Sequence, residues 1–252
     1  MYYKYFDDKQ IIYSDINNNN IDEINDYLKN IDKPFNIQYI DFHNMNLIKS
    51  PNINNFINIK EIYLNNNDIN ELCDLSNFTN LEELHCFDNK LTTLPNLLTL
   101  TKLKVLNCSK NNIDKLPDLP INLTIIFCAY NKLKKLPNNI SNLQKLKELY
   151  CNDNELIEIP NLKLCSNLKD LCIYNNEIIK FPKLCNTNLR LLYCWNNKFN
   201  ILPYNIINFK NLKYFIKYTK YTNINILSPL LNYTIKNYYY KSIMENYNYK
   251  YL

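Results

Sequence analysis

Nine cysteines and two histidines are the residues of this chain best suited to bind a metal or act as a nucleophile and base. Their spacing argues against both uses. Five thiols, Cys86, Cys108, Cys128, Cys151 and Cys194, fall once per repeat of the pattern set out below. Zinc needs ligands that converge on one point, often from a close pair such as C-x2-C. A row of thiols placed one per strand does not converge, so these are read as reduced, buried, small hydrophobes. His43 and His85 lie two repeats apart, about 10 Å across neighbouring strands, and share no metal. Cys172 stands in an outward-facing column and is expected to be an exposed thiol. Its nearest histidine, His85, is four strands away, roughly 19 Å, so no base activates it. Paired carboxylates occur on the same surface, at no spacing that separates them from ordinary surface charge. No catalytic, cofactor-binding or metal-ligating residue is assigned, no cofactor is expected, and the chain is read as a non-enzyme.

One eleven-residue phrase positions all of these residues. It runs apolar, two free, apolar, one free, apolar or Cys, two free, Asn, one free, apolar. Clear copies are Leu81 to Leu91, Leu103 to Ile113 and Leu146 to Leu156. Others start at Ile37, Ile59, Leu123, Leu168 and Leu189, which makes eight, and a worn ninth starts at Leu212. Start-to-start spacings are 22, 22, 22, 20, 23, 22, 21 and 23 residues. A fixed period of this size means a solenoid, in which each segment buries its apolar row only against its neighbours. Positions 4 and 6 alternate with free residues, the period of a strand with one buried face, and a strand of about five residues is expected. The Asn at position 9 sits where the chain leaves the strand, and its amide can bond the backbone of adjoining turns. Asn67, Asn89, Asn111, Asn131, Asn154, Asn176 and Asn197 form this row. Met45 replaces it in the first copy, where an irregular turn is expected.

The phrase resembles the leucine-rich repeat, over about three quarters of the chain. Six copies continue into an apolar-Pro pair, from Leu94-Pro95 to Leu202-Pro203. The short stretch from Leu116 to Leu123 resembles the twenty-residue repeats of bacterial effector proteins. The resemblance implies an α/β leucine-rich-repeat solenoid. Its parallel sheet lies on the concave side, short 3₁₀ or extended segments form the convex side, and both ends are capped. Three regions are expected: an N-terminal cap over 1–36, eight repeats over 37–211, and a degenerate ninth repeat with a cap or tether over 212–252. Ile21 to Ile31 has helical spacing after an Asn run that can cap it, and Pro34 ends it. Ser228-Pro229 reads as a second helix start.

The chain contains no glycine, which excludes Gly-rich phosphate loops and the dinucleotide-binding fingerprint. Left-handed turn positions must then fall to Asn and Asp. Abundant Asn, Ile, Lys and Tyr, with Ala129 and Arg190 alone of their types, suit AT-rich codons. Such a bias resembles that of giant viruses of amoebae, slime moulds or malaria parasites, with a mimivirus-type leucine-rich-repeat protein as first choice. The N-terminus lacks a signal-peptide core and no apolar run is long enough to span a membrane, so an intracellular protein of host cytoplasm is expected. The formal charge of +5 is mild. Acidic residues line the face that would hold phosphates, so no nucleic acid or membrane partner is expected.

Function is sought on the concave face, at positions 3, 5, 7 and 8, which point away from the core. Tyr63, His85, Phe87, Phe127, Tyr130, Tyr150, Tyr174, Tyr193 and Trp195 fall there and are taken as the anchors for a protein partner. The other account of the same aromatics is that they stack on one another along neighbouring strands. Columns 3 and 8 carry Glu61, Glu83, Asp88, Glu148, Asp153 and Asp170, while column 2 carries Lys60, Lys104, Lys147, Lys169 and Arg190. The leading reading is a non-catalytic protein-binding scaffold. A structural or virion-associated component and an adaptor or substrate receptor for a host ligase are the alternatives. Neither the partner nor the oligomeric state is legible.

Overall fold

In the computed structural model, residues 3–4, 10–13, 20–184, 188–199, 206 and 209–216 are described. They build one sheet of eleven strands in which sequence order is spatial order. Tyr3–Lys4 (β1) pairs antiparallel with Gln10–Tyr13 (β2), and β2 pairs parallel with Tyr39–Asp41 (β3). The repeats then supply β4 (Glu61–Tyr63), β5 (Glu83–His85), β6 (Val105–Asn107), β7 (Ile125–Phe127), β8 (Glu148–Tyr150), β9 (Asp170–Cys172) and β10 (Leu191–Tyr193). The worn copy adds β11 (Tyr214–Ile216), in register with β10. The chain is a leucine-rich-repeat solenoid.

Register follows from the apolar column. Leu84 pairs with Leu106, Leu106 with Ile126 and Ile126 with Leu149, all fully buried. A one-residue slip would turn that column out to solvent. Each repeat strand has three residues rather than the expected five. The turn that follows begins early, because position 8 adopts a left-handed backbone in all eight clear copies. Asn44, Asn66, Asp88, Lys110, Tyr130, Asp153, Asn175 and Asn196 all have φ between 50° and 58°. The expectation that only Asn and Asp fill these places fails at Lys110 and Tyr130. The conformation is imposed by the frame: the N–H of Lys110 donates to Ala129 O and that of Tyr130 to Asn152 O, as Asp88 N–H does to Ser109 O.

The position-9 asparagines form the continuous row expected of them. The Asn89 amide donates to Leu64 O, Cys86 O and Phe87 O, and its Oδ1 accepts from Ile69 N–H at 2.9 Å. Asn67, Asn111, Asn131, Asn154, Asn176 and Asn197 repeat the scheme one coil at a time. Where Met45 takes the place of Asn, its N–H donates to Asn67 Oδ1 and a second left-handed residue, Asn46, follows.

A second polar row, not anticipated from sequence, joins the coils on the side where the chain enters each strand. It uses the residue just before position 1. Asn58 donates to Phe35 O, Asn80 to Asn58 Oδ1, Lys102 to Asn80 Oδ1, Asn122 to Thr101 O and Lys145 to Asn122 Oδ1. Its signal was an Asn or Lys in the same column of every copy, hidden by the abundance of both.

The outer wall is extended chain with short turns, including 3₁₀ segments at Pro34–Asn36 and Asn138–Asn142. The helix α1 covers Ile21–Lys29, two residues shorter than the sequence suggested, and buries Ile24 and Leu28. Asn20 caps it by accepting from Asp22 N–H while its amide reaches Glu23. Asn25 Oδ1 on the same helix accepts the N–H of Asn52 in the wall of the first repeat. The helix start at Ser228-Pro229 lies outside the described residues.

Cys86, Cys108, Cys128, Cys151 and Cys194 are fully buried. Burial pushes the Cys108 thiol up to about 12, and the neighbouring core thiols in the same direction. Cys165 is buried too, its thiol pushed up to about 11. Brief alkylation of the native protein at pH 8 is therefore expected to leave Cys86, Cys108, Cys128, Cys151, Cys165, Cys172 and Cys194 unmodified, while denaturant exposes them all. Peptide mass mapping that found Cys172 labelled first would contradict this packing.

Candidate functional site: the sheet face

Period-2 alternation sends positions 3, 5 and 7 to the same side of the sheet. Residues two apart therefore meet within one strand. Asp41 Oδ1 lies 2.6 Å from His43 Nδ1, and Tyr39 OH donates to Asp41 Oδ2. Tyr63 OH donates to Glu61 Oε2, and His85 Nε2 lies 3.0 Å from Glu83 Oε2. The hydrogen bond to His85 holds the Glu83 carboxyl below the usual range, against the opposing effect of its partial burial. These pairs were not read from the sequence, although i, i+2 spacing on a strand would have given them.

Across strands the same columns stack. Tyr39 and Tyr63 rings lie 5.1 Å apart, and Tyr63 lies flat on the His85 ring at 4.5 Å. Phe127 tilts against Tyr150 at 4.9 Å. Tyr174 stacks on Trp195 at 3.9 Å with an interplanar angle of 6°, and Tyr193 closes on Trp195 at 5.4 Å. Cys172, Tyr174, Leu191, Tyr193 and Trp195 form one apolar cluster, with Tyr150 at its edge.

This packing corrects the picture of a freely exposed aromatic stripe. His85 is 4% exposed, Phe87 5%, Tyr174 7%, and Tyr193 and Trp195 8%. Tyr63, Phe127 and Tyr150 are partly buried. Tyr130 alone among the nine is well exposed, at 42%. The face is built largely of rings that cover one another, as cross-strand pairs on a narrow sheet do. Cys172 is likewise no exposed thiol. It is 2% exposed, and burial raises its pKa well above the ordinary value. The reason is common to all: a position-5 or position-7 side chain is flanked by the same position on the neighbouring strands.

Polar contacts join the turns at the far edge of the face. Asp153 accepts from Asn175 Nδ2 at 2.6 Å and from Asn152 Nδ2 at 2.7 Å, and Asn196 Nδ2 donates to Asn175 Oδ1. Tyr130 is hydrogen-bonded to both Asp153 and Tyr174; burial, then the Asp153 charge, raises its pKa. At the other edge the charges pair across strands. Arg190 grips Asp170 with two bonds of 2.7 and 2.8 Å, and Lys104 reaches Glu82 at 2.5 Å. The basic rim thus spends some of its charge on neighbouring coils. Among the described residues no three His, Cys, Asp or Glu side chains are grouped to hold a metal ion. No described helix is long and apolar enough to cross a membrane.

Residues 79–120 match the model of the family described as Leucine Rich repeats (2 copies). A Ras guanine nucleotide exchange factor V of Dictyostelium discoideum is 34% identical over 96 residues, which are 38% of this chain and 4% of that protein. Among solved structures, the leucine-rich effector YopM from Yersinia pestis is 28% identical, with a TM-score of 0.62. The match covers 75% of this chain and 52% of YopM. The leucine-rich-repeat chain FLRT2, solved in an octameric complex with latrophilin 3 and Unc5D, gives a TM-score of 0.62 at 22% identity, a likeness of fold alone. That match covers 79% of this chain and 65% of the other. The chain therefore spans only part of each protein it matches. Its fold is that of the leucine-rich-repeat solenoids, as repeat pattern, sheet and comparisons show together. Solenoids of this kind present an extended surface of the sort that repeat proteins use for binding.

Proposed function

We propose that this protein is a non-catalytic scaffold that binds a protein partner on its sheet face. The observation that carries the reading is the face itself: side-chain columns on successive strands in strict register, rigid because stacked, with one exposed aromatic projecting from them. Rigid, preformed surfaces lose little entropy on association. Aromatic anchors with polar rims are the usual composition of such contacts. Tyr130 is the leading anchor, with Phe127 on the same coil, Tyr150 on the next and Tyr63 three strands away, each partly accessible. His85, Phe87, Tyr174, Tyr193 and Trp195 shape the surface from beneath. Residues 1–36 serve as the N-terminal cap of the solenoid in this reading.

The test is affinity capture with matched variants. Tyr130→Asn alters the face, while Leu98→Ser with Ile121→Ser alters the exposed outer wall. A partner bound by the face is expected to be reduced at least about tenfold by the first and unchanged by the second. Equal capture by all three proteins would refute the assignment.

The effector repeat resemblance and the YopM likeness favour action on a host protein. The glycine-free, Asn- and Lys-rich composition supports an origin in an AT-rich genome, with a giant virus of amoebae proposed and a slime mould the other source in keeping with it. Host cytoplasm is the proposed site of action. A packaged virion component or a ligase adaptor would use the same face, and mass spectrometry of purified particles separates the first of these from a host-directed scaffold.

A further inference from the structure

The charge on the face and the charge on the chain have opposite signs. The chain carries a formal +5. Columns 3, 5, 7 and 8 of the eight repeats hold seven carboxylates, the six of columns 3 and 8 and Asp41 of column 5, against one lysine, Lys110. That is −6 with both histidines neutral. Lysine and arginine stand instead along column 2, at one rim. Asp170 pairs with Arg190, and Asp88 with Lys110 at 3.7 Å. Asp41 and Glu83 face histidines, Glu61 accepts from a tyrosine, and Asp153 accepts from two amides and Tyr130.

We propose, building on the protein-binding reading above, that the sheet face takes an extended basic segment of the partner, its lysine or arginine side chains lying between Glu61, Glu83 and Asp153 and against the exposed Tyr130 ring. The dimensions suit such a segment. Glu61 and Asp153 belong to coils four strands apart, roughly 19 Å, and to opposite edges of the face, so an extended segment joining them runs obliquely over more than about six residues. A cation beside a tyrosine face and a carboxylate gains from both the ring quadrupole and the charge. The face leaves no favourable path for a polyanion, since carboxylates line both of its edges.

The frame supplies matched tests. Asp153 and Lys110 hold the same place in their repeats with φ of 53° and 52°. Asp153→Lys and Lys110→Asp therefore each put a side chain where that same residue type is already accommodated. The probe is a fluorescein-labelled twelve-residue peptide alternating Lys and Ser, with a Glu/Ser peptide as its opposite, read by anisotropy. Parent protein is expected to bind the lysine peptide and not the glutamate peptide. Binding should weaken about tenfold between 50 and 300 mM salt. Asp153→Lys should weaken it a further tenfold or so, and Lys110→Asp should tighten it about threefold, with unchanged thermal midpoints confirming the fold. Lysine-peptide binding that is absent, or that both variants leave within about twofold of the parent, overturns the proposal. A captured partner lost with Tyr130→Asn but indifferent to both charge variants overturns the basic segment and leaves the scaffold reading standing. A partner indifferent to Tyr130→Asn overturns the scaffold reading itself.

Discussion

Replacing Asn111 by Ala is expected to cost about 2–4 kcal/mol of stability, as is the same change at its buried equivalents in the row. The carboxamide of Asn111 makes four bonds. Its Oδ1 accepts from Leu91 N–H, and its Nδ2 donates to Cys86 O, Cys108 O and Ser109 O. Alanine leaves the Leu91 N–H without that acceptor inside the coil, which alone costs about 1–3 kcal/mol. The carbonyls suffer less, because the row is redundant. Cys86 O also receives Asn89, and Cys108 O also receives Asn131. This redundancy yields a sharper expectation. Asn89→Ala together with Asn111→Ala removes both amides from Cys86 O, so the pair should cost at least about 1 kcal/mol more than the sum of the singles. Asn122→Ala, in the exposed outer row, removes one bond to Thr101 O and one from Lys145, and should cost under about 1 kcal/mol. Urea midpoints of the four variants decide the matter. An Asn111→Ala midpoint equal to that of Asn122→Ala would mean water replaces the amide, and that the row is not what joins the coils.

The contrast between the two rows explains what the sequence could and could not reveal. The position-9 asparagines recur at one fixed place of the phrase in seven of its eight copies, where the chain leaves the strand, so their role followed. The outer asparagines stood among other polar residues in a chain rich in Asn, where no burial forced a conclusion. The same logic governs the thiols. Cys86 and its column were read correctly as core because position 6 points inward. Cys172 was misread because period-2 alternation says which side of a sheet a residue faces, and nothing about how closely its neighbours on that side pack. The positive φ of Lys110 and Tyr130 escaped for a related reason. Residue preference predicts Asn or Asp, but a hydrogen-bonded frame shared by eight coils sets the backbone, and single coils tolerate an ill-suited residue. The position of every candidate anchor was legible; its accessibility was not.

Trp195→Ala should act on the fold before it acts on any partner. The ring is 8% exposed, stacked on Tyr174 and tilted against Tyr193 within the cluster that includes Cys172 and Leu191. Truncating a buried Trp removes its transfer energy and leaves a void, for a cost of about 3–5 kcal/mol, of which the stacked pair contributes about 1. In a solenoid this loss stays near its origin, since each coil is held only by its neighbours. Hydrogen exchange should therefore show protection falling at β9 and β10 and persisting at β4, β5 and β6. Tyr130→Asn should do the reverse. Asn suits the left-handed backbone that Tyr130 holds at φ 54°, and its relief of roughly 1 kcal/mol offsets the lost contacts with Asp153 and Tyr174. Its exchange pattern should match the parent while partner capture drops. Trp195→Ala with parent-like protection at β9 and β10 would show that the ring contributes little to the last coils and stands free as an anchor. Parent-like protection for Tyr130→Asn, with capture unchanged, would instead refute the sheet face as the binding surface.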